Sequence, residues 1–272
     1  MNFDDPAEML RWTVALAAFA SLVVATELIA VGVWQRDGVF WRCCQAAATE
    51  RVSSGILQGR INFHFEKWIP AVFVLQALAA ITTLVFAASR ESYREALFVL
   101  TACSLVVAYW RVVGGDGAQQ MTSIILTACS LALILGGKTR GPSAALMFIG
   151  MQALLAYLVA GVAKVISPEW RNEDVVAKIA STVCYGNGVA SGVIEAVPGL
   201  GRLLTLSVIA FELSMPLAVV VPVHVTVAFL GMALFFHVGC ALVMGLNDFV
   251  WAFAATFPAI LFVSSMFKRL KF

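Results

Sequence analysis

Long apolar runs separated by short polar stretches organise the chain. Eight such runs can be read by length and by the polar residues between them, at 12–33, 68–88, 95–113, 121–136, 144–166, 203–221, 223–244 and 248–266. A helix that crosses the hydrocarbon core of a bilayer takes about 20 residues. The pattern therefore predicts an all-α integral membrane protein, a polytopic bundle of about eight transmembrane helices in a single membrane domain over 1–272.

Composition supports a lipid environment and argues against a nucleic-acid partner. Charged residues make up 12% of the chain, about half the usual share of roughly 25%, and the mean hydropathy is +0.91. The net charge of +2 and the lack of a basic run give no footprint for nucleic acid. Acidic residues precede the first apolar run, which is longer than the roughly 7–15 residues of a signal peptide's apolar region, so we expect it to remain as a helix.

Two longer connections, 34–67 and 167–202, fall on one side of the predicted bundle. The basic tail Lys268, Arg269 and Lys271 favours cytoplasmic termini in a multi-pass plasma-membrane protein, which places both connections outside. We expect the first to hold an interfacial helix and the second a short helix through Ala180 with a break at 185–188. Loops of this size on a compact bundle commonly carry a lid or a substrate surface.

Six cysteines divide between loops and helices. An oxidising outer compartment would permit one bridge from Cys184 to either Cys43 or Cys44. The other three are predicted to be small buried hydrophobes, namely Cys103, Cys129 and Cys240.

A few ionisable side chains lie where lipid should exclude them. They are Glu27, Lys164, Glu212, His224 and His237, with Arg111 and Asp116 at the end of the third run. A charge at the membrane centre costs at least about 2.5–3.5 kcal/mol, so it usually has a partner or a function. The set predicts a shared polar cavity, although its spacing matches no recognised metal-binding motif and we predict no metal.

Lys164 is the most informative of these residues. Tyr157, Gly161 and Lys164 recur at i, i+4 and i+7 and so share one helical face. In one interpretation the lysine is a desolvated amine that acts as a base. In the other it extends to the interface and keeps its charge in water.

Glu212 and His237 occupy two later apolar runs. Pro216 removes the hydrogen bond to the carbonyl of residue 212, which predicts a kink beside a buried carboxylate. The alternative role for Glu212 is an internal ion pair with Lys164 or a histidine. We expect His237 to share a face with Cys240, Met244 and Asn247, and on such a helix a hydrogen-bonded packing residue is favoured over a metal ligand.

Four ordered motifs resemble the vitamin K-dependent γ-carboxylase-like family, also called the horizontally transferred transmembrane domain (HTTM). They cover about residues 60–265 and consist of the Gly-Gly-Asp-Gly segment 114–117, the Y-x-x-x-G-x-x-K run from Tyr157 to Lys164 followed by Trp170, the E-x-x-x-P run 212–216, and His237 with Phe249. The resemblance implies an all-helical core that binds a reduced quinone of the vitamin K or menaquinone type.

By this resemblance Lys164 is the base that deprotonates the hydroquinone, and Glu212 and His237 complete a catalytic lining. Asp116, Tyr157, Gly161 and Trp170 are the corresponding cofactor-binding positions. The chain ends six residues after its last apolar run, so we expect a short form without the luminal domain of the animal enzymes. It looks closer to bacterial membrane proteins needed for maturation of a sporulation-delaying peptide toxin.

Two functional hypotheses follow. The leading one is a quinol-using enzyme or peptide-modification factor that acts on a secreted or membrane peptide, with or without a companion maturation protein. The alternative is a non-catalytic factor for peptide toxin maturation, export or immunity. A transporter is less favoured because only Pro216 indicates a broken helix, and a thiol redox protein lacks a C-x-x-C motif.

Overall fold

The computed structural model describes residues 3–34, 68–110, 117–136, 140–182 and 186–269. All regular secondary structure in these ranges is helical. The helices are α1 (Pro6–Trp34), α2 (Ile69–Ser89), α3 (Arg94–Trp110), α4 (Gly117–Leu135), α5 (Arg140–Ile166), α6 (Pro168–Asn172), α7 (Val175–Ala180), α8 (Gly188–Ala196), α9 (Leu200–Ser214), a 3₁₀ helix (Met215–Val219), α10 (Val223–Met244), α11 (Asn247–Ala254) and α12 (Phe257–Arg269).

Seven helical stretches in the described ranges are long and apolar enough to cross a membrane. They run over Pro6–Ala30, Ile69–Ser89, Gly117–Leu135, Arg140–Ile166, Leu200–Val219, Val223–Met244 and Asn247–Arg269. The predicted third run is α3, which has 17 residues up to Trp110. Residues 111–116, which follow it, lie outside the described ranges. The class of protein is thus a helical membrane protein, as the apolar pattern predicts.

Prolines interrupt two of these stretches. The helix that carries Glu212 changes from α to 3₁₀ geometry after Ser214, and Pro216 lies at the start of the 3₁₀ part. The last predicted run, 248–266, is divided at Ala255–Thr256 into α11 and α12. Pro258 explains this division because it has no N–H to bond the carbonyl of residue 254 and its ring clashes there.

The chain divides into two compact units. The first unit comprises Met1–Met9 and Leu146–Phe272, and the second unit comprises Leu10–Ala145. In the second unit, α2 packs against α3 and α3 against α4. Arg90, in a left-handed conformation with φ 62°, ends α2 and turns the chain toward α3.

The first unit brings α5, α9, α10, α11 and α12 together with the short helices α6, α7 and α8. Thr226 of α10 donates a hydrogen bond to the carbonyl of Ala218 at 2.7 Å, and its hydroxyl lies 3.1 Å from that of Ser264 in α12. The 3₁₀ helix leaves carbonyls that need such partners, because membrane interiors offer no water to satisfy them. This hydroxyl therefore ties three helical elements together.

In its described residues, the connection 167–202 forms three short helices within the first unit. Its first helical part ends at Ala180, as predicted, but it is divided into α6 and α7. The hydroxyl of Thr205 in α9 accepts a hydrogen bond from Val176 N–H at 3.2 Å. The side chain of Asn187 caps α8 by accepting from Val189 and Ala190 N–H. The other long connection, 34–67, lies outside the described residues except for Trp34.

Candidate functional site

Lys164 and Glu212 form an ion pair between α5 and α9. The Nζ atom of Lys164 donates to both carboxylate oxygens, at 2.8 Å to Oε1 and 2.7 Å to Oε2. The side chains of Lys164 and Glu212 are 19% and 6% exposed. The lysine thus turns toward an internal partner, and the ion-pair alternative for Glu212 describes the structure. The two charged groups hydrogen-bond each other directly, and a buried ion pair needs such bonds to offset its desolvation.

Gly161 allows the two helices to approach. A Cβ atom at position 161 would lie 3.0 Å from the backbone nitrogen of Leu213 and from two of its side-chain carbons. Leu213 directly follows Glu212, so the contact fixes α9 at the height where the carboxylate meets Lys164 one turn further along α5. The group that approaches this predicted cofactor-binding glycine is therefore a neighbouring helix.

Trp170 covers the ammonium group of Lys164. Its ring centroid lies 5.1 Å from Nζ, within the range of a cation–π interaction. Ser167 positions the short helix α6 that carries this tryptophan: its hydroxyl accepts from Trp170 N–H at 3.5 Å and donates to Glu169 at 2.6 Å. The hydrogen bond from Ser167 lowers the pKa of the Glu169 carboxyl below its usual range.

Tyr157 and His237 form a second polar pair. The Tyr157 hydroxyl lies 2.7 Å from Nε2 of His237, and both residues are buried. The imidazole stacks on Phe253 of α11, with centroids 4.4 Å apart, while the Tyr157 ring meets Phe211 edge to face at 5.6 Å. No described residue bonds the buried Nδ1 atom of His237.

Cys240 lies one helical turn beyond His237. It is half-buried, whereas Cys103 and Cys129 are buried as expected. The predicted helical face of His237, Cys240, Met244 and Asn247 loses its last member, because α10 ends at Met244 and Asn247 begins α11.

The structure gathers only part of the predicted polar cavity. Within the first unit it joins Lys164, Glu212 and Trp170 in one group and Tyr157 and His237 in another, and the Tyr157 ring contacts Phe211, the residue before Glu212. His224 is exposed at the start of α10, thirteen residues and about 20 Å of helix from His237. Glu27 belongs to the second unit.

Several predicted positions fall outside the described residues, namely Arg111, Asp116, Cys43, Cys44 and Cys184. In the described ranges, no group of three or more His, Cys, Asp or Glu side chains is arranged to hold a metal ion.

Sequence reasoning missed the aromatic support of His237. The sequence motif pairs His237 with Phe249, and the centroids of these two rings lie 6.0 Å apart, but the ring of Phe253 is closer, at 4.4 Å. The available signal was the four-residue spacing of these two phenylalanines, which places both on one face of α11. Their rings are nearly parallel, with an interplanar angle of 5°.

The described residues thus define a helical integral membrane protein with an internal lysine–carboxylate pair. No protein-family model, curated protein or solved structure matches the chain. The resemblance to the γ-carboxylase-like family therefore stays a prediction that depends on the four sequence motifs.

Proposed function

We propose that the chain is a quinol-binding membrane enzyme or peptide-modification factor in which Lys164 and Glu212 act together as the proton acceptor. The observation that carries this proposal is the pair of hydrogen bonds from Lys164 Nζ to the carboxylate of Glu212, whose side chain is 6% exposed. A carboxylate in such a place, next to a fixed positive charge, can receive a proton and leave the charge behind to stabilise an anion.

The proposed step is a proton transfer from a ring hydroxyl. The O–H bond of the quinol breaks, and its proton converts the carboxylate of Glu212 to a carboxylic acid. The ammonium group of Lys164 then faces the quinolate oxygen. This assigns the charge to Lys164 and the proton to Glu212, and it makes the pair, rather than a neutral lysine alone, the base.

Aromatic groups and the imidazole nitrogen without a described partner support a quinol-type ligand. Trp170 offers a flat face beside the ammonium group, and Nδ1 of His237 has no partner among the described residues. A quinol carries two ring oxygens, so one can meet the ion pair while the other meets a hydrogen-bonding group elsewhere in the site. We also propose a plasma-membrane location with cytoplasmic termini, on the evidence of the basic tail.

Mass spectrometry of lipids that co-purify with the protein tests the proposal. We expect a quinone of the menaquinone type in the wild-type protein and about five- to thirty-fold less in Trp170→Ala, because stacking and cation–π contacts are worth about 1–2 kcal/mol. Trp68→Ala is the matched control, since Trp68 is 68% exposed and belongs to the second unit. Equal quinone in all three proteins, or none in any, would remove the proposal.

A non-catalytic peptide factor is the second candidate, and the connection 167–202 favours it. Val189 and Val193 lie four residues apart on α8 and Val197 follows directly after its end, and the three are 78%, 55% and 48% exposed. This apolar stripe is a surface on which a peptide could bind. The two candidates differ at the ion pair, because a peptide factor should keep its function in the double variant Lys164→Met with Glu212→Leu, which leaves no unpaired charge.

A further inference from the structure

Six buried side-chain oxygens in the second unit have no hydrogen-bond partner among the described residues. They belong to Thr13 and Ser21 of α1, Gln76 and Thr83 of α2, Ser104 of α3 and Ser123 of α4. Hydroxyls in helices commonly bond the carbonyl one turn back, as Thr82 does to Leu78 at 2.9 Å. The five hydroxyls of this set do not use that option.

Antiparallel packing of α1 and α2 brings two of these groups to one depth. Arg11, near the start of α1, donates to the carbonyl of Ala87, near the end of α2, at 3.1 Å. At the other ends of the two helices, Val24 and Leu28 belong to one buried cluster with Ile69 and Phe73. This register places Ser21 opposite Gln76.

The third group comes from α3. Val107 belongs to the same buried cluster as Phe73, and α3 runs antiparallel to α2 after the turn at Arg90. Gln76 lies one turn beyond Phe73 in α2, and Ser104 lies one turn before Val107 in α3. Ser104 and Gln76 therefore share a depth.

The fourth group comes from α4. The hydroxyl of Thr101 in α3 lies 2.8 Å from that of Ser130 and 3.3 Å from the carbonyl of Leu126. Since α3 and α4 are antiparallel, this contact places Ser123 near the height of Ser104. The four groups then lie within about one helical turn, or ~5 Å, of the same depth.

The chemistry of these four groups points to a neutral ligand. Gln76 is 1% exposed, and its Oε1 atom is an acceptor without a donor. The serine hydroxyls can donate or accept. All four members are uncharged, so they do not offset the desolvation of an ion. A hydroxyl group satisfies both needs, because it donates to Gln76 and accepts from a serine.

We propose that Ser21, Gln76, Ser104 and Ser123 form a second binding site, which takes the hydroxyl head of an uncharged amphiphile. The site lies within the second unit and is independent of the lysine–carboxylate pair. Buried water has the same hydrogen-bonding chemistry and is the competing occupant.

Thermal unfolding of the full chain in lauryldimethylamine oxide, a detergent without hydroxyl groups, tests this site with two matched probes. We expect 4-octylphenol to raise the melting temperature of the wild type by about 5 °C at saturation. The methyl ether 4-octylanisole, which lacks the donor, is expected to have no effect. The shift should disappear in Gln76→Met and Ser104→Ala but persist in Thr82→Val, whose hydroxyl is exposed and bonded to its own helix.

Three results would overturn the proposal. Equal shifts with both probes would indicate non-specific partitioning, and an undiminished shift in both variants would place the probe elsewhere. If neither probe shifts the melting temperature, the stabilities of the wild type and Gln76→Met are compared. A more stable wild type means that the four groups hold buried water only, and a less stable wild type means that they have no occupant. Ser104→Ala provides the same comparison if Gln76→Met does not fold.

Discussion

Replacing Lys164 with methionine is expected to lower the free energy of unfolding by about 3–5 kcal/mol, because it leaves the carboxylate of Glu212 buried without its partner. Methionine keeps the length of the side chain and removes the charge. The carboxylate side chain is 6% exposed, so water does not replace the lost ammonium group. The measurement is unfolding of the purified protein in detergent, followed by thermal melting or denaturant titration.

Two further variants separate loss of the partner from loss of packing. Lys178→Met removes the lysine of a pair with Glu173 whose side chains are 63% and 43% exposed, and exposed pairs contribute about 0–1 kcal/mol. The double variant Lys164→Met with Glu212→Leu should regain most of the stability that Lys164→Met loses, since no unpaired charge remains. If Lys164→Met lowers the free energy of unfolding no more than Lys178→Met does, the internal ion pair is contradicted.

Gly161→Val is expected to lower the free energy of unfolding by about 1–3 kcal/mol, the usual effect of added volume in a packed interface. Any side chain at this position meets the backbone of Leu213 at 3.0 Å, and backbone cannot move aside without displacing α9. The displacement would also lengthen the contact between Lys164 and Glu212. Loss of stability should therefore come with loss of bound quinone.

Gly239→Val is the matched control for this substitution. Gly239 also lies within a long apolar helix, but an added Cβ there has no neighbour within 4 Å. Both variants introduce the same β-branched residue, so the change in helix propensity is shared. Similar melting temperatures for the two variants would show that the approach of α5 and α9 is not tight.

The apolar pattern was sufficient to predict an all-α membrane bundle because membrane-spanning segments must satisfy their backbone internally and bury few charges. It placed Lys164, Gly161 and Tyr157 on one face of α5 by spacing alone. It could not choose a partner for Glu212, since that choice depends on which helices pack together. Periodicity within one helix carries no information about its neighbours.

Two features were not predicted from the sequence, for different reasons. The break at Ala255–Thr256 could be predicted only by giving Pro258 more weight than the otherwise continuous apolar run around it. Gln76 was overlooked because only ionisable residues were singled out, although an unpaired neutral amide in a membrane helix is also costly. Its burial became evident only when α1, α2 and α3 were packed together.

Infrared difference spectroscopy tests the central proposal most directly by following the proton. Adding menadiol to the wild-type protein is predicted to produce a carboxylic-acid carbonyl band as Glu212 becomes protonated. The band should be absent in Glu212→Gln and retained in Glu169→Gln, which changes a carboxylate on the exposed helix α6. Without a new band in the wild type, or with the same band in Glu212→Gln, the pair of Lys164 and Glu212 would not be the proton acceptor.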